Sequence, residues 1–422
     1  MKIRIIYLLS YILLYIFSCY VFSFIIYPIF SYEGYNLDIN YTKIFFSVLF
    51  IMFISLILPL KNNKPSDFLL HVQFIFPIIF MLVLYSAENF SSYYMLCTFF
   101  CFIIILGLVK IKFPIQYLKL FTIKWKFFII IVLLISLLIL IILINTHRQF
   151  FNLDITKVYE FRFQTKEVEQ GFYAYIIHSI FPILINFLLV YSLIYQKNFI
   201  KLLAFLLFII LFAFSSHKKY LFLPFFIYGI YLITKTRLPI LKIIIGLVGL
   251  IIFSIIIDYL WLENLAKSLF IRRFLFVPAQ LNFYYYDFFS QNPKIFWSDS
   301  KWLLINKIIN YPYSLPMTNV IGEEYFNNPE KSANTSWIGS GYAHFGFVGM
   351  LIYAIIIGLV LKYLDFKAKT LDKNFIIISF SPFILSVFLS SDLKTVFFSH
   401  GLLFYLIIIS LLKSKKEVND KI

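Results

Sequence analysis

The fold class is decided by an apolar run at positions 127–145, FFIIIVLLISLLILIILIN. A helix of about 20 residues crosses the roughly 30 Å of hydrocarbon in a bilayer. Backbone groups find no partner in lipid, so such a run must satisfy its own hydrogen bonds as a helix. Comparable runs recur and predict about twelve transmembrane helices, at 5–30, 43–60, 68–86, 90–109, 127–145, 171–195, 199–215, 219–234, 239–257, 343–361, 374–390 and 395–412.

The composition agrees with an all-α, polytopic membrane protein that forms a single membrane domain over residues 1–422. The chain is 62% hydrophobic and only 14% charged, and its mean hydropathy is +0.89. A soluble domain of this length could not bury so much apolar surface. The start of the chain, with Lys2 and Arg4 before an apolar run to about Phe30, resembles a signal peptide. The run is too long for one and has no small-residue cleavage site, so we expect a retained first helix.

The distribution of charge predicts the orientation. With the N-terminus inside, the inner segments hold 22 of the 37 basic residues and five of the 20 acidic ones. The net charge of +17 therefore lies entirely on the inner side, as the positive-inside rule requires. Both termini are predicted to be cytoplasmic, and the excess charge is a topology signal rather than a nucleic-acid-binding surface.

Two outer loops stand out because the other outer connections are short. The first runs over 146–170. The second runs over 258–342, contains five prolines and begins with charged and apolar residues at helix-like spacing. This spacing predicts helices that lie on or dip into the membrane surface.

Basic side chains in the outer connections are candidates for binding phosphate. Arginine offers a planar fork of donors that grips phosphate bidentately, whereas lysine supplies a point charge. The alternative is that these side chains extend from helix ends to lipid headgroups. The candidates are Arg148, Arg162 and Lys166 in the first outer loop, Lys218 and Lys219 at the tip of a tight hairpin, and Arg272 and Arg273 in the second outer loop.

Two segments of the second outer loop carry candidate sugar-binding groups. The first, Val277–Phe289 (VPAQLNFYYYDFF), includes Tyr285 and Asp287, and aromatic faces and amides suit sugars. An interfacial aromatic belt is the alternative for any single tyrosine. The second segment, Ser332–Gly349 (SANTSWIGSGYAHFGFVG), leads into a membrane helix, and its glycines permit tight turns and close helix approach. Its candidates are Asn334, Trp337 and His344.

His344 lies at the predicted outer boundary and could act as a general base or be a satisfied interfacial histidine. The sequence has no phosphate-binding glycine loop and no metal-ligand spacing of histidine and cysteine, so no metal and no cofactor are predicted. Few ionisable residues lie deep in the predicted spans, which disfavours an ion-coupled transporter.

These features resemble the O-antigen polymerases (Wzy), also described as oligosaccharide repeat unit polymerases. The likeness rests on the predicted topology, on Arg273–Phe289 and on Asn334–Gly349. Phe214–Lys219 (FSSHKK) stands where many relatives carry a Ser-Arg motif, and lysine replaces arginine there.

The resemblance implies a fold like that of the C-type integral-membrane glycosyltransferases, in the bacterial cytoplasmic (inner) membrane. It also implies a reaction at the periplasmic face. Such enzymes move a growing chain from undecaprenyl pyrophosphate to the distal sugar of a new lipid-linked repeat unit, without a metal. Arg272, Arg273, Arg162 and Lys218 would then hold the pyrophosphate. The acceptor hydroxyl would lose its proton to His344, Asp287 or a loop glutamate. A chain-length regulator and a flippase of the same pathway are expected partners, beside membrane lipids.

Two other functions stay open from the sequence. A polysaccharide flippase or transporter is disfavoured because such proteins have short loops and internal symmetry. An O-antigen ligase uses the same donor with a different acceptor, and topology does not separate it from a polymerase.

Overall fold

The computed structural model describes residues 2–111, 122–154, 157–165, 168–300 and 305–412. In these ranges the chain is helical and has no β-strand. In chain order the helices are α1 (Lys2–Glu33), α2 (Tyr41–Ile57), α3 (Pro65–Ala87), α4 (Ser92–Lys110), α5 (Trp125–Phe150), α6 (Val158–Thr165), α7 (Gly171–Ile194), α8 (Asn198–Ser215), α9 (Lys218–Thr234), α10 (Pro239–Trp261), α11 (Lys267–Phe276), α12 (Val277–Gln291), α13 (Met317–Phe326), α14 (Trp337–Lys367), α15 (Lys373–Ser390), α16 (Leu393–Phe398) and α17 (Leu402–Leu411).

Nine helices of the described ranges are long and apolar enough to cross a membrane: α1, α3, α4, α5, α7, α8, α10, α14 and α15. The prediction of a polytopic helical membrane protein is confirmed to that extent. Three predicted spans correspond to shorter helices. The spans at 43–60 and 219–234 lie on α2 and α9, of 17 residues each. The span at 395–412 is interrupted, because α16 ends at Phe398 and α17 begins after Gly401, whose φ is +80°.

The described chain comprises two compact units. Unit 1 is formed by Met1–Lys112, Arg237–Tyr363 and Ile384–Leu393. Its most enclosed membrane-length helix is α3, which is buried along its whole length. Most residues of α3 are apolar, and polar ones such as His71 and Gln73 are buried with them, as expected of a helix enclosed by other helices. Tyr11 of α1 and Phe102 of α4 both contact Phe74 of α3.

Helix α14 contains a sharp kink in unit 1. The backbone leaves helical geometry at Phe345 and at Gly346, whose φ of +61° is accessible mainly to glycine. The turns on either side touch: a β-carbon on Gly349 would lie 2.0 Å from the carbonyl oxygen of Gly341. The tight turn and close helix approach predicted for this glycine-rich segment are confirmed.

The second outer loop is largely helical. Helices α11 and α12 follow each other directly over 267–291, and α13 begins at Met317, so the helices predicted from residue spacing are present. The boundaries differ from the prediction, because α10 continues to Trp261 and α14 begins at Trp337. The first outer loop is likewise shortened by α5, which reaches Phe150, and contains the short helix α6.

Unit 2 is formed by Phe113–Thr236, Leu364–Phe383 and Lys394–Ile422. Polar groups link its helices in otherwise apolar surroundings. Asn186 of α7 donates to the carbonyl of Ser379 in α15 at 2.7 Å, and the Ser379 hydroxyl lies 2.9 Å from that of Tyr405 in α17. Such bonds hold helices in one register, since an unsatisfied polar group is costly in an apolar interior.

Candidate functional site

Unit 1 contains a group of charges that we call the cationic cluster: Glu33, Arg272, Arg273 and Lys331. Arg272 Nη1 and Lys331 Nζ each lie 3.0 Å from a different carboxylate oxygen of Glu33. Arg273 is exposed and within electrostatic range of the same carboxylate. Three cations therefore share one anion, and the excess positive charge favours an anionic ligand.

Arg272 is the most enclosed member of the cationic cluster, with only 5% of its surface exposed. Its Nη2 donates to Ser268 Oγ at 3.0 Å, and its guanidinium lies over the ring of Phe30. Its Nε is buried and has no hydrogen-bond partner. A buried unpaired donor is rare in a folded protein and points to a ligand that accepts from it.

Three further buried polar atoms without a partner lie in the same region of unit 1: Tyr35 Oη, Glu88 Oε1 and Gln280 Oε1. Tyr35 interacts electrostatically with both Arg272 and Glu88. Gln280 Nε2 donates to the carbonyl of Glu33 at 3.4 Å and to Tyr284 Oη at 2.8 Å. The unpaired atoms thus include donors and acceptors, which is the mixture that sugar hydroxyls require.

Glu88 follows the C-terminus of α3, in a connection predicted to be on the outer side. Burial raises the pKa of its carboxyl from 4.5 to about 8, although the backbone N–H of Asn36 donates to Oε2 at 3.3 Å and lowers it in part. This carboxyl group is largely protonated at neutral pH. It titrates near the pH at which a general acid or base works best.

His344 is completely buried just before the kink of α14. Its Nδ1 accepts the backbone N–H of Trp297 at 3.3 Å, and its Nε2 lies 3.3 Å from Oδ2 of Asp392. Tyr353 donates to the other oxygen of Asp392 at 2.7 Å. Both ring nitrogens are thus occupied by protein groups, which is the arrangement of a structural histidine rather than of a free base.

The other predicted site residues of unit 1 differ in whether they are buried or exposed. Tyr285 and Trp337 are completely buried, and Tyr285 donates to the carbonyl of Ala333 at 2.9 Å. Asn334 and Asp287 are exposed, and Asp287 accepts from Tyr325 at 2.6 Å. The substrate contacts predicted for Tyr285 and Trp337 would require atoms that now face the protein interior.

Unit 2 brings together a second group, which we call the imidazole cluster: His147, Glu169, His178 and His217. The ligand atoms of Glu169, His178 and His217 all lie within 4.8 Å of one another. His178 Nε2 is 2.7 Å from Glu169 Oε2, and His147 Nε2 is 3.4 Å from Glu169 Oε1. The four residues come from the C-terminus of α5, the connection before α7, α7 itself and the connection between α8 and α9.

The imidazoles determine the charge state of Glu169. Burial alone would raise the pKa of this carboxyl, but the contacts with His147 and His178 and the nearby His217 lower it to about 2. Burial and the neighbouring His178 lower the pKa of His217, also to about 2. At neutral pH the cluster therefore presents an ionised carboxylate beside a neutral His217 imidazole.

The predicted basic residues of unit 2 differ in their exposure and in their interaction with this cluster. Arg162 and Lys219 are exposed, and both interact electrostatically with His217. Lys218 is half-buried at the start of α9, and Arg148 is exposed after the end of α5's long apolar stretch. Lys166 lies outside the described residues.

The sequence does not predict several residues in or near the two clusters. Nothing in the local sequence pattern relates Glu33, Lys331 or Glu88 to Arg272. The histidines of the imidazole cluster are separated by 31 and 39 residues along the chain, which matches no metal-binding spacing. His147 and His217 lie in predicted outer connections, whereas His178 lies within the predicted span at 171–195, so the predicted topology groups only two of the three.

In comparisons with known proteins, no family model, no curated protein and no solved structure matches the chain.

Proposed function

We propose that this chain is a membrane glycosyltransferase that polymerises lipid-linked oligosaccharide repeat units at the outer face of a bacterial cytoplasmic membrane. On this proposal the chain crosses the membrane about twelve times and shares the architecture of the C-type glycosyltransferases. The observation that carries it is the cationic cluster, in which buried Arg272 has a free Nε beside two further cations. The substrate would be an oligosaccharide linked to undecaprenyl pyrophosphate.

The cationic cluster suits a diphosphate leaving group. Arg272 offers directed donors, while Arg273 and Lys331 add charge at the exposed side. Charge develops on the leaving phosphate as the glycosidic bond breaks, and prearranged cations stabilise it more in the transition state than in the ground state. Glu33 holds two of these cations in position before the substrate arrives.

Glu88 is the proposed proton acceptor. The bond between the anomeric carbon of the donor sugar and the pyrophosphate oxygen breaks, and a bond from that carbon to the acceptor hydroxyl oxygen forms. The acceptor proton passes to Glu88 in the fraction of molecules whose carboxyl is ionised, and undecaprenyl pyrophosphate leaves. Tyr35 and Gln280, whose buried oxygens have no protein partner, are the proposed sugar contacts.

The test is polymerisation of a lipid-linked repeat unit by membranes that contain Arg272→Ala. We expect a loss of about 10²–10³-fold in rate, the usual cost of removing a charge-stabilising group. Glu33 keeps Lys331 as a partner, so the variant should still accumulate in the membrane. Arg272→Lys should recover part of the rate, because it restores charge without the planar fork.

The matched control is Arg237→Ala, which removes an exposed arginine from a predicted inner connection and should polymerise normally. Normal chain length with Arg272→Ala would refute the proposed site. A product carrying no repeat unit, rather than a single one, in a strain without the protein would identify a ligase instead.

A further inference from the structure

The imidazole cluster of unit 2 has a use that the proposed glycosyl transfer does not require. We propose that Glu169, His178 and His217 bind one divalent transition metal ion, with zinc the expected occupant, and that His147 holds the carboxylate in position. Neutral imidazoles with one carboxylate are the donor set of known zinc sites with three protein ligands.

The first argument is convergence. Three ligand atoms from three separate segments lie within 4.8 Å of one another. A tetrahedral zinc ion with bonds of about 2.0–2.1 Å holds its ligand atoms about 3.3 Å apart. The 2.7 Å separation of His178 Nε2 and Glu169 Oε2 therefore needs to open by only about half an ångström, within the reach of side-chain rotation.

The second argument is the presence of buried atoms that make no hydrogen bond. The side chain of Glu169 is 7% exposed, and its Oε1 makes none. The His147 side chain is 1% exposed, and its Nε2 lies 3.4 Å from that oxygen without a hydrogen bond. The His217 imidazole makes ring contacts with His178 and Tyr220, and no hydrogen bond of the ring lies among the described residues.

The third argument is the environment of the outer ring nitrogens. Tyr220 Oη lies 3.1 Å from His178 Nδ1 and 3.4 Å from the His178 carbonyl. In the metal-free protein Nε2 shares a hydrogen bond of 2.7 Å with Glu169 Oε2. When the Tyr220 hydroxyl donates to the carbonyl, its oxygen accepts from Nδ1–H, and the lone pair of Nε2 becomes free to bind a cation in place of that hydrogen bond. A hydrogen bond from the outer ring nitrogen to a fixed acceptor is typical of metal-bound histidine.

His147 fits a positioning role rather than that of a ligand. Tyr173 Oη lies 3.0 Å from its Nδ1, and a hydrogen bond donated by Tyr173 leaves the proton of His147 on Nε2, facing Glu169 Oε1. Carboxylates that bind metals are commonly held in this way. The fourth coordination position of the metal has no protein ligand. Arg162 and Lys219 interact electrostatically with His217, so we expect an anion or a water molecule at that position.

The experiment is a metal analysis of the full-length protein purified in detergent with a tag that contains no histidine. After removal of metal with a chelator and addition of zinc, we expect about one tightly held zinc ion per chain, as for a three-ligand site. Competition with a chromophoric chelator then gives the affinity. Glu169→Gln, His178→Ala and His217→Ala should each weaken it at least about 100-fold, because each removes one of three ligands.

Glu160→Gln is the matched control, since it removes an exposed carboxylate from α6 in the same outer loop and should leave zinc binding unchanged. His217→Cys is the second variant. It replaces nitrogen with sulfur, so the cobalt-loaded protein should gain a sulfur-to-cobalt charge-transfer band that the parent lacks. Equal zinc affinity in parent and ligand variants, or no such band from zinc-competent His217→Cys, would overturn the proposal. Polymerisation activity enters none of these measurements, so the metal site and the proposed function fail or stand separately.

Discussion

Each unit of the molecule contains a cluster of histidine and carboxylate, and the two clusters differ in how far they are satisfied. In unit 1, Asp299, His344 and Asp392 lie together, and each nitrogen of His344 has a protein partner. In unit 2, Glu169 Oε1 and His147 Nε2 lie 3.4 Å apart and make no hydrogen bond, and the His217 imidazole has only ring contacts among the described residues. The residue types are the same, but the second cluster keeps more atoms that a ligand can bind.

Whether the buried polar atoms of a cluster are hydrogen-bonded distinguishes a structural role from a binding role better than the types of residue in the cluster do. A satisfied buried pair stabilises the fold, and removing one member leaves the other uncompensated. An unsatisfied cluster costs stability until a ligand occupies it, and sites with that property bind. His344, which the sequence suggested as a catalytic base, belongs to the first kind.

The largest expected effect comes from His344→Ala. Loss of the imidazole removes one partner of the buried Asp392 carboxyl, whose other oxygen keeps Tyr353, and leaves a cavity, which together cost about 3–5 kcal/mol of stability. In the metal-free protein, His217→Ala should cost only about 1 kcal/mol, because only ring contacts are lost. Chemical unfolding in mixed micelles measures both. Equal losses would erase the distinction between the two clusters.

The next effect, up to about 1.4 kcal/mol for each pH unit, is expected from two carboxyl groups whose pKa values are shifted in opposite directions. The pKa of Glu88 is raised to about 8, whereas that of Glu169 is lowered to about 2. A raised carboxyl binds more protons in the folded than in the unfolded state. Stability should therefore fall from about pH 4.5 to about pH 8, at up to about 1.4 kcal/mol per pH unit, and level off above.

Glu88→Gln should remove that component of the pH dependence, while Glu160→Gln, which alters an exposed carboxylate, should retain it. Unfolding midpoints at several pH values provide the comparison. Superimposable profiles for the parent and Glu88→Gln would show that this carboxyl is not buried in its neutral form.

The smallest effects are expected from the two tyrosines that contact a member of each cluster, Tyr353 at Asp392 and Tyr220 at His178. Tyr353→Phe removes one hydrogen bond to Asp392 and should lower stability by about 1–2 kcal/mol. Tyr220→Phe removes the hydroxyl beside His178 Nδ1 and should instead weaken zinc binding about 10-fold. This is the smaller of the losses in affinity that follow when a group hydrogen-bonded to a metal ligand is removed. Thermal unfolding and metal competition distinguish the two. A stability loss without a change in zinc affinity for Tyr220→Phe would contradict the contrast.

The helical membrane fold was predictable because the apolar periodicity and length of each span are local properties. Span boundaries were less so: α14 begins at Trp337, six residues before the predicted 343, because Asn282 Oδ1 accepts from Thr335, Ser336 and Gly339 and fixes the start of the helix. The break at Gly401 depends on a positive φ that composition does not reveal.

The candidate sites were predictable only in part. The adjacent arginines at 272 and 273 are visible in the sequence because pairs of positive charges are disfavoured on the outer side of the membrane. Their counter-ion Glu33 precedes them by more than 200 residues and is brought near by tertiary structure. The imidazole cluster combines residues from four segments, so no local spacing encodes it.

The contact between Gly341 and Gly349 sets a limit on how this chain can vary. Here main chain meets main chain, so a side chain at Gly349 cannot be rescued by trimming Gly341, which already has none. A β-carbon on Gly341 would lie 3.1 Å from the Gly349 carbonyl oxygen, a contact that a small shift relieves. In a library of random variants, position 349 should therefore contain glycine alone, whatever activity is selected. It offers a built-in reference for assembly, against which losses at the proposed sites can be scored.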